Sequence, residues 1–150
     1  MKKLVIVRHG TYGADDKLND DGRKEINLLA ENLKKVLFDG IVKVLTSPAD
    51  RARESAEIIC SVLGVGECEQ HEVLWSDEDH LEDYDKAFDL IKDQAEDSDI
   101  LILVTHFEYA DHLPEYFAQE VLKKKINSWK IKKGEAFVLD CEKATLTHIS

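Results

Sequence analysis

Three short apolar segments constrain the fold of this chain more than any other feature. Residues 3–7, 42–46 and 100–104 are rich in Val, Ile and Leu and have the length of buried strands. Longer stretches with helical periodicity separate them. Strands that alternate with helices predict an α/β fold, a three-layer sandwich around a largely parallel central sheet.

The helical stretches have recognisable ends. Residues 22–37 carry apolar side chains at helical spacing, after the start signals in residues 19–22. A second helix is predicted to run to about Leu63, with Ser47 as its cap and Pro48 at its first helical position. The remaining predicted elements are a short edge strand at 69–73, a surface helix at 84–95, a helix at 109–122 interrupted or restarted at Pro114, and a terminal hairpin or edge pair from 136–140 and 144–149.

Length and composition limit the class of protein. A chain of 150 residues fits one domain, spanning residues 1–150, with a real core. No stretch reaches the roughly 20 apolar residues of a membrane span, and the apolar run after Met1 is too short for a signal peptide. Three cysteines without a CxxC pair predict reduced thiols rather than a metal site. We therefore expect a soluble, cytoplasmic protein.

The charge is unevenly distributed. The formal net charge is −11, and eleven acidic residues lie in the segment 77–99, whereas lysines cluster in 123–133. The acidic balance argues against a nucleic-acid-binding protein, because contacts to the phosphate backbone dominate such affinity. Both charged segments are interpreted first as solvated surface. The alternative is that the basic segment attracts an acidic or phosphorylated partner.

Polar side chains follow each of the three apolar strands. Arg8 and His9 come directly after the first strand, Arg51 lies shortly after the second, and His106 lies two residues beyond the third. The carboxyl ends of neighbouring parallel strands form the usual ligand crevice of an open α/β sheet. Two arginines and two histidines in one crevice predict an anion site. Taken singly, each has a structural explanation, as a hydrogen-bonded histidine or a solvent-facing arginine.

Phosphoryl transfer suits this set of residues. His9 can be the nucleophile through one ring nitrogen if a backbone carbonyl holds the other. Arg8 and Arg51 can bind the phosphoryl oxygens in bidentate fashion, and His106, if protonated, adds further donors. Neighbouring cations would also help to keep His9 neutral and nucleophilic.

Four segments of the chain together resemble the histidine phosphatase (phosphoglycerate-mutase-like) superfamily. They are Val-Ile-Val-Arg-His-Gly (5–10), Leu-Asn-Asp-Asp-Gly-Arg (18–23), Thr-Ser-Pro-Ala-Asp-Arg-Ala-Arg-Glu-Ser-Ala (46–56) and Leu-Val-Thr-His (103–106). The resemblance implies a phosphoglycerate-mutase-like fold, with His9 as the phosphorylated nucleophile. It also implies that Arg8, Arg51 and His106 bind the phosphoryl group, and that no metal or other cofactor is needed.

The short chain is most similar to the compact bacterial phosphohistidine phosphatases of this superfamily. Those enzymes dephosphorylate histidine-phosphotransfer domains. The resemblance therefore implies a phosphorylated protein as the partner, or alternatively a small phosphorylated metabolite, and neither a membrane nor a nucleic acid. A protein substrate predicts a shallow, open site.

The chain departs from the family pattern near the site. Asp15 and Asp16 follow the first motif, where acids would repel a phosphate unless they are turned away. Phe107 replaces the small residue common after the second histidine. Ser76 stands where the family's Leu-x-Glu pattern places an acid, so the expected proton donor is one of the acids at 77–79, with Glu78 preferred. Solvent readily protonates the nitrogen of an N–P bond. Hydrolysis of such a bond therefore tolerates a missing acid better than hydrolysis of an alkyl ester does.

The sequence thus predicts a metal-independent phosphatase that works through a phosphohistidine intermediate on His9. Its substrate would be phosphohistidine on a protein or a small phosphomonoester. One alternative is a phosphoryl transferase of the phosphoglycerate mutase type, although the segment 74–85 offers little lid to exclude water. Another alternative is a phosphate-binding module with weak or no turnover, favoured by Asp15, Asp16, Phe107 and the missing glutamate.

Overall fold

The computed structural model describes residues 1–37 and 40–150. Within these ranges six strands form one sheet in the order β3-β2-β4-β1-β5-β6. The first four strands of this order are parallel, whereas β5 runs antiparallel to β1 and β6 antiparallel to β5. The strands are β1 (Lys3–Arg8), β2 (Val42–Thr46), β3 (Cys68–Gln70), β4 (Ile100–Thr105), β5 (Ala136–Asp140) and β6 (Thr145–Ile149).

Helices cover both faces of the sheet. They are α1 (Asp20–Val36), α2 (Asp50–Leu63), α3 (Tyr84–Ala95) and α4 (Phe107–Phe117), with a 3₁₀ turn at Glu72–Leu74 and a π-helical turn at Ala118–Leu122. α1 and α2 pack on one face of the sheet, and α3 and α4 on the other. The α/β class, the three layers and the largely parallel sheet predicted from the sequence are confirmed. No helix in the described ranges combines the length and apolar character needed to span a membrane.

The central strand β4 explains why both faces must be covered. All six of its side chains are buried. Because successive side chains point to opposite faces, Ile102 and Val104 join the core under α1 and α2, while Leu101 and Leu103 join the core under α3 and α4. A continuous apolar run therefore places β4 in the middle of the sheet.

The first helix is fixed against the loop that leaves β1. The Asn19 side chain caps α1 by accepting a hydrogen bond of 2.8 Å from the Gly22 amide, as the start signals predicted. A Cβ atom at Gly22 would collide with the carbonyl oxygen of Thr11. Glycine at this position therefore lets the start of α1 support the loop that carries the site.

The sequence prediction of where the second helix begins is wrong. α2 begins at Asp50 with Ala49 as its N-cap, so Pro48 lies outside the helix and Ser47 does not cap it. Instead, the Ser47 hydroxyl accepts a hydrogen bond of 3.2 Å from the Ala49 amide and contacts His106. The Ser47 hydroxyl therefore contacts His106 instead of capping the helix as local propensity had predicted.

The fourth helix also differs from its prediction. α4 begins at Phe107, two residues earlier than expected, and continues without interruption through Pro114. Leu113 and Phe117 on either side of the proline are buried in the core, which holds the helix against the sheet. The edge strand β3 is shorter than predicted, whereas the predicted terminal hairpin is present as β5 and β6.

Candidate functional site

The carboxyl ends of β1, β2 and β4 open into one cleft of about 260 Å³. The three strands are neighbours in the sheet, so the residues that follow them meet at the same edge. Arg8, His9, Arg51 and His106 all line this cleft. The structure therefore brings together the four residues that the sequence singled out.

His9 is held in one orientation and one tautomer. Its ring is only 4% exposed, and its Nδ1 lies 2.9 Å from the carbonyl oxygen of Gly10. A carbonyl can only accept, so Nδ1 carries the proton and Nε2 keeps a lone pair. Arg51 Nε donates to that lone pair over 3.3 Å. Ser55 stabilises the turn by accepting from the Gly10 amide at 3.1 Å.

Burial is the main reason that His9 is neutral. Loss of solvent lowers its pKa to about 3, helped by the positive charges of Arg51, Arg8 and Lys133 and opposed by the hydrogen bond to Gly10. The cationic neighbours that the sequence emphasised are thus a secondary cause. A neutral imidazole with an unprotonated Nε2 is the form that can attack phosphorus.

Arg51 connects the two histidines. It lies in the first turn of α2, and its carbonyl accepts from the Ser55 hydroxyl at 2.7 Å. Besides the contact with His9, its Nη2 lies 3.2 Å from Nδ1 of His106. Its Nη1 forms an ion pair with Asp16. Every nitrogen of this guanidinium group therefore has a partner within the protein.

His106 is neutral and acts as an acceptor toward Arg51. It is the N-cap residue of α4 and 2% exposed. Because arginine can only donate, His106 Nδ1 is unprotonated and its Nε2 donates to the Ser47 hydroxyl at 2.8 Å. Burial, with His9 and Arg51 nearby, lowers its pKa to about 2. With these partners His106 is neutral, rather than the extra cationic donor considered from the sequence.

Arg8 lies against the ring of Phe107, which also lines the cleft. Its Nη1 donates to the Ile131 carbonyl at 2.7 Å, and its guanidinium carbon lies 5.4 Å from the ring centre of Phe107. Its Nε is buried without a partner among the described residues. The Gly134 amide donates to the carbonyls of Arg8 and His9, which draws the preceding Lys133 to the cleft.

Asp16 is not turned away from the site. Its φ of 68° is left-handed, which is uncommon outside glycine and lets the loop after β1 turn back toward Arg51. The Tyr12 ring from the same loop packs over the site, with its centre 4.9 Å from the guanidinium carbon of Arg51 and 5.3 Å from the centre of the His9 ring. The Asp16 carboxylate therefore competes with any anion for Arg51. Asp15, in contrast, accepts from the Lys17 amide at 3.1 Å.

The acidic side of the cleft contains the predicted proton donors. Asp77 and Glu78 line the cleft, and Asp79 is exposed outside it. Burial would raise the pKa of Asp77, but hydrogen bonds from His80, the Asp79 amide and Trp75 lower it to about 2. The preferred donor, Glu78, is exposed at the rim and has no hydrogen bond or ion pair within the described ranges.

Several residues of the cleft were not predicted from the sequence. Ser76 is buried and donates a hydrogen bond of 2.8 Å to Oε2 of Glu108, which also lines the cleft. Tyr12 and Lys133 were missed as well. The signal for Lys133 was Gly134, which has a positive φ and follows the basic segment two residues before β5. Nothing in the local sequence marked Glu108, because its partner lies 32 residues away.

Solved structures with the same architecture are numerous. The protein histidine phosphatase SixA, solved with tungstate, matches with a TM-score of 0.73 and 22% identity over 99% of this chain and 96% of that one. A mycobacterial glucosyl-3-phosphoglycerate phosphatase matches with a TM-score of 0.66 and 16% identity, covering 99% of this chain and 97% of the other. For the phosphoglycerate mutase of Plasmodium falciparum the TM-score is 0.59 and the identity 20%, over 98% and 87% of the two chains. These likenesses confirm the phosphoglycerate-mutase-like fold.

Sequence comparison identifies the family. A search of curated protein sequences finds no match. The family description "Histidine phosphatase superfamily (branch 1)" matches residues 4–97, which is more than half of the chain and includes His9 and Arg51. The chain belongs to branch 1 of the histidine phosphatase superfamily.

Proposed function

We propose that this chain is a single-domain phosphatase, spanning residues 1–150, that works through a covalent phosphohistidine on His9. The observation that carries the proposal is the state of His9. It is buried and neutral, its Nδ1 is fixed by the Gly10 carbonyl, and its Nε2 lone pair faces the guanidinium group of Arg51. A nucleophile beside fixed positive charge is what phosphoryl transfer requires.

Substrate binding places the phosphoryl oxygens between Arg8 and Arg51. The Nε of Arg8, which has no partner in the described part of the chain, and the Nη1 of Arg51, once released from Asp16, supply donors for these oxygens. The arriving negative charge favours protonation of His106, which then changes from an acceptor into a donor. Orientation and electrostatic stabilisation thus come from side chains already in the cleft.

The reaction follows in two displacements. His9 Nε2 attacks phosphorus, the bond to the leaving group breaks, and the Gly10 carbonyl stabilises the positive imidazole through Nδ1–H. Water then attacks the phosphohistidine and releases phosphate. The proton for the leaving group comes from the acidic side of the cleft, where Glu78 and Glu108 are the carboxyl groups to consider. This route uses no metal or other cofactor.

The proposed substrate is phosphohistidine on a protein or a small phosphomonoester. The similarity to SixA, described as a protein histidine phosphatase, supports a phosphorylated protein partner. The similarity to a glucosyl-3-phosphoglycerate phosphatase supports a small phosphorylated metabolite. The net charge of −11 disfavours nucleic acid as a partner.

One observation favours a second function, a phosphate-binding module without turnover. The ion pair between Asp16 and Arg51 occupies a guanidinium group that catalysis would need. The phosphatase remains the better-supported proposal because the Asp16 carboxylate is partly open to solvent, so that an arriving phosphoryl group can displace it from Arg51.

The first test compares wild-type protein with His9→Ala for phosphate release from phosphoramidate and from an aryl phosphate, with a chelator present. We expect release by the wild type on at least one substrate and its loss in the variant. Release that survives in His9→Ala contradicts the mechanism. No release by either protein, together with orthophosphate binding in calorimetry, supports the binding module. Stimulation by a bisphosphorylated sugar acid supports a mutase.

A further inference from the structure

We propose that Glu108 is the acid that protonates the leaving group, and that this lets the enzyme hydrolyse O–P monoesters as well as N–P bonds. The inference rests on the proposed phosphatase function and names its missing proton donor. Glu108 is the second residue of α4, two positions after His106, and lines the same cleft as His9 and both arginines.

The chemistry requires such a group for most esters. When an alkyl or phenyl oxygen leaves phosphorus, it carries negative charge, and a positioned acid increases the rate by roughly 10²–10⁴. A phosphoramidate nitrogen or a strongly acidic phenol leaves without that help. The proton donor therefore decides which class of phosphate compound is a substrate.

Two other carboxyl groups near the site already have partners within the protein. Asp16 forms an ion pair with Arg51, which also contacts His9. Asp77 accepts hydrogen bonds from Trp75, from His80 and from the Asp79 amide, all at 2.8 Å. These bonds stabilise its carboxylate form, so Asp77 is a poor proton donor at neutral pH.

A hydrogen bond fixes the carboxyl group of Glu108, whereas that of Glu78 has no such bond among the described residues. The hydroxyl of Ser76, which is 1% exposed, donates to Oε2 of Glu108 at 2.8 Å. Oε1 has no hydrogen bond within the described ranges, so it is available to carry a proton. Glu78 is exposed and has no such support in the described part of the chain. A fixed donor contributes more to catalysis, because it is already oriented when charge develops.

The protons and bonds balance over one turnover. The Nε2 lone pair of His9 forms the N–P bond, and the P–O bond breaks with its electron pair on oxygen. That oxygen takes the proton of the Glu108 carboxyl group and departs as an alcohol. Glu108 carboxylate then takes a proton from the water that attacks phosphorus. The N–P bond breaks toward His9, and both residues return to their starting states.

The test is the dependence of the first displacement on leaving-group acidity. Single-turnover release of the leaving group is measured with excess protein for 2,4-dinitrophenyl phosphate, phenyl phosphate and phosphoramidate. For Glu108→Gln we expect a loss of roughly 10²–10⁴ on phenyl phosphate. We expect near wild-type rates on the dinitrophenyl ester and on phosphoramidate. The amide oxygen introduced by Glu108→Gln can still accept from Ser76, which favours a folded variant.

Matched variants separate the outcomes. Glu120→Gln removes an exposed carboxyl group outside the cleft and should behave as wild type on all three substrates. Ser76→Ala should give a smaller loss on phenyl phosphate and no further loss in the Glu108→Gln background. Equal losses on all substrates, or selective loss in Glu78→Gln instead, overturn the proposal. If His9→Ala still releases dinitrophenol, the phosphatase mechanism itself has failed.

Discussion

Arg51 is the residue on which most of the site depends. One guanidinium group contacts His9, His106 and the carboxylate of Asp16. Its position follows from the sequence pattern after β2, but its third partner does not, since Asp16 reaches it from a loop 35 residues earlier. A carboxylate distant in sequence therefore competes with any anion that approaches Arg51.

Asp16→Asn should strengthen phosphate binding. The variant removes the competing charge while keeping a side chain of the same size, and the pair is partly exposed, so we expect a several-fold lower inhibition constant for orthophosphate. The inhibition constant is measured by adding orthophosphate to the hydrolysis of an aryl phosphate. Asp15→Asn is the matched control, because the Asp15 side chain accepts a hydrogen bond from the Lys17 amide in its own loop. Equal or weaker phosphate binding in Asp16→Asn contradicts this interpretation.

At the scale of elements, apolar periodicity was sufficient to predict the layers. The buried runs of β1, β2 and β4 and the apolar face of α1 depend on local pattern, so the sheet, the helices and the crevice were predictable. Helix starts were less predictable, because a long-range hydrogen bond outweighed local preference at Ser47. Glu108 and Lys133 were missed for the same reason: contacts distant in sequence place them in the cleft.

The contact between Ser47 and His106 links the end of β2 to the start of α4. Ser47→Ala leaves the buried Nε2–H of His106 without an acceptor, at a cost of about 1–3 kcal/mol. We expect both a lower unfolding free energy in urea and a lower kcat. Ser98→Ala is the control, because that buried hydroxyl bonds the Gln94 carbonyl at the end of α3. Unchanged kcat in Ser47→Ala would show that the bond does not position His106.

The whole molecule presents a cleft with two unlike sides. Lys133 lies over Tyr12, and Lys130 and Arg8 lie over Phe107, so one side is basic and aromatic. The other side carries the acids of the segment 76–78 and Glu108. In a protein of net charge −11, the basic side attracts anions to the cleft.

Burial of two neutral histidines makes the stability of the fold depend on pH. The pKa values of His9 and His106 are about 3 and about 2 in the folded chain, below the ordinary 6.5. Below pH 6.5 the unfolded chain binds protons that the folded chain does not, so stability falls as pH falls, by at most about 1.4 kcal/mol per pH unit for each histidine. Urea unfolding at about pH 7 and about pH 5 should show a smaller decrease for the His9→Asn, His106→Asn double variant. Parallel decreases in the two proteins would contradict the assigned neutrality.

The most direct measurement of the central claim is to trap the phosphorylated protein. Wild-type protein is mixed with dinitrophenyl phosphate, quenched within the first turnover in alkali, digested, and analysed by mass spectrometry. The mechanism predicts one phosphoryl group on His9, labile to acid and absent from His9→Gln. Hydrolysis that proceeds with no trapped phosphoryl group, or with the group on another residue, would contradict it.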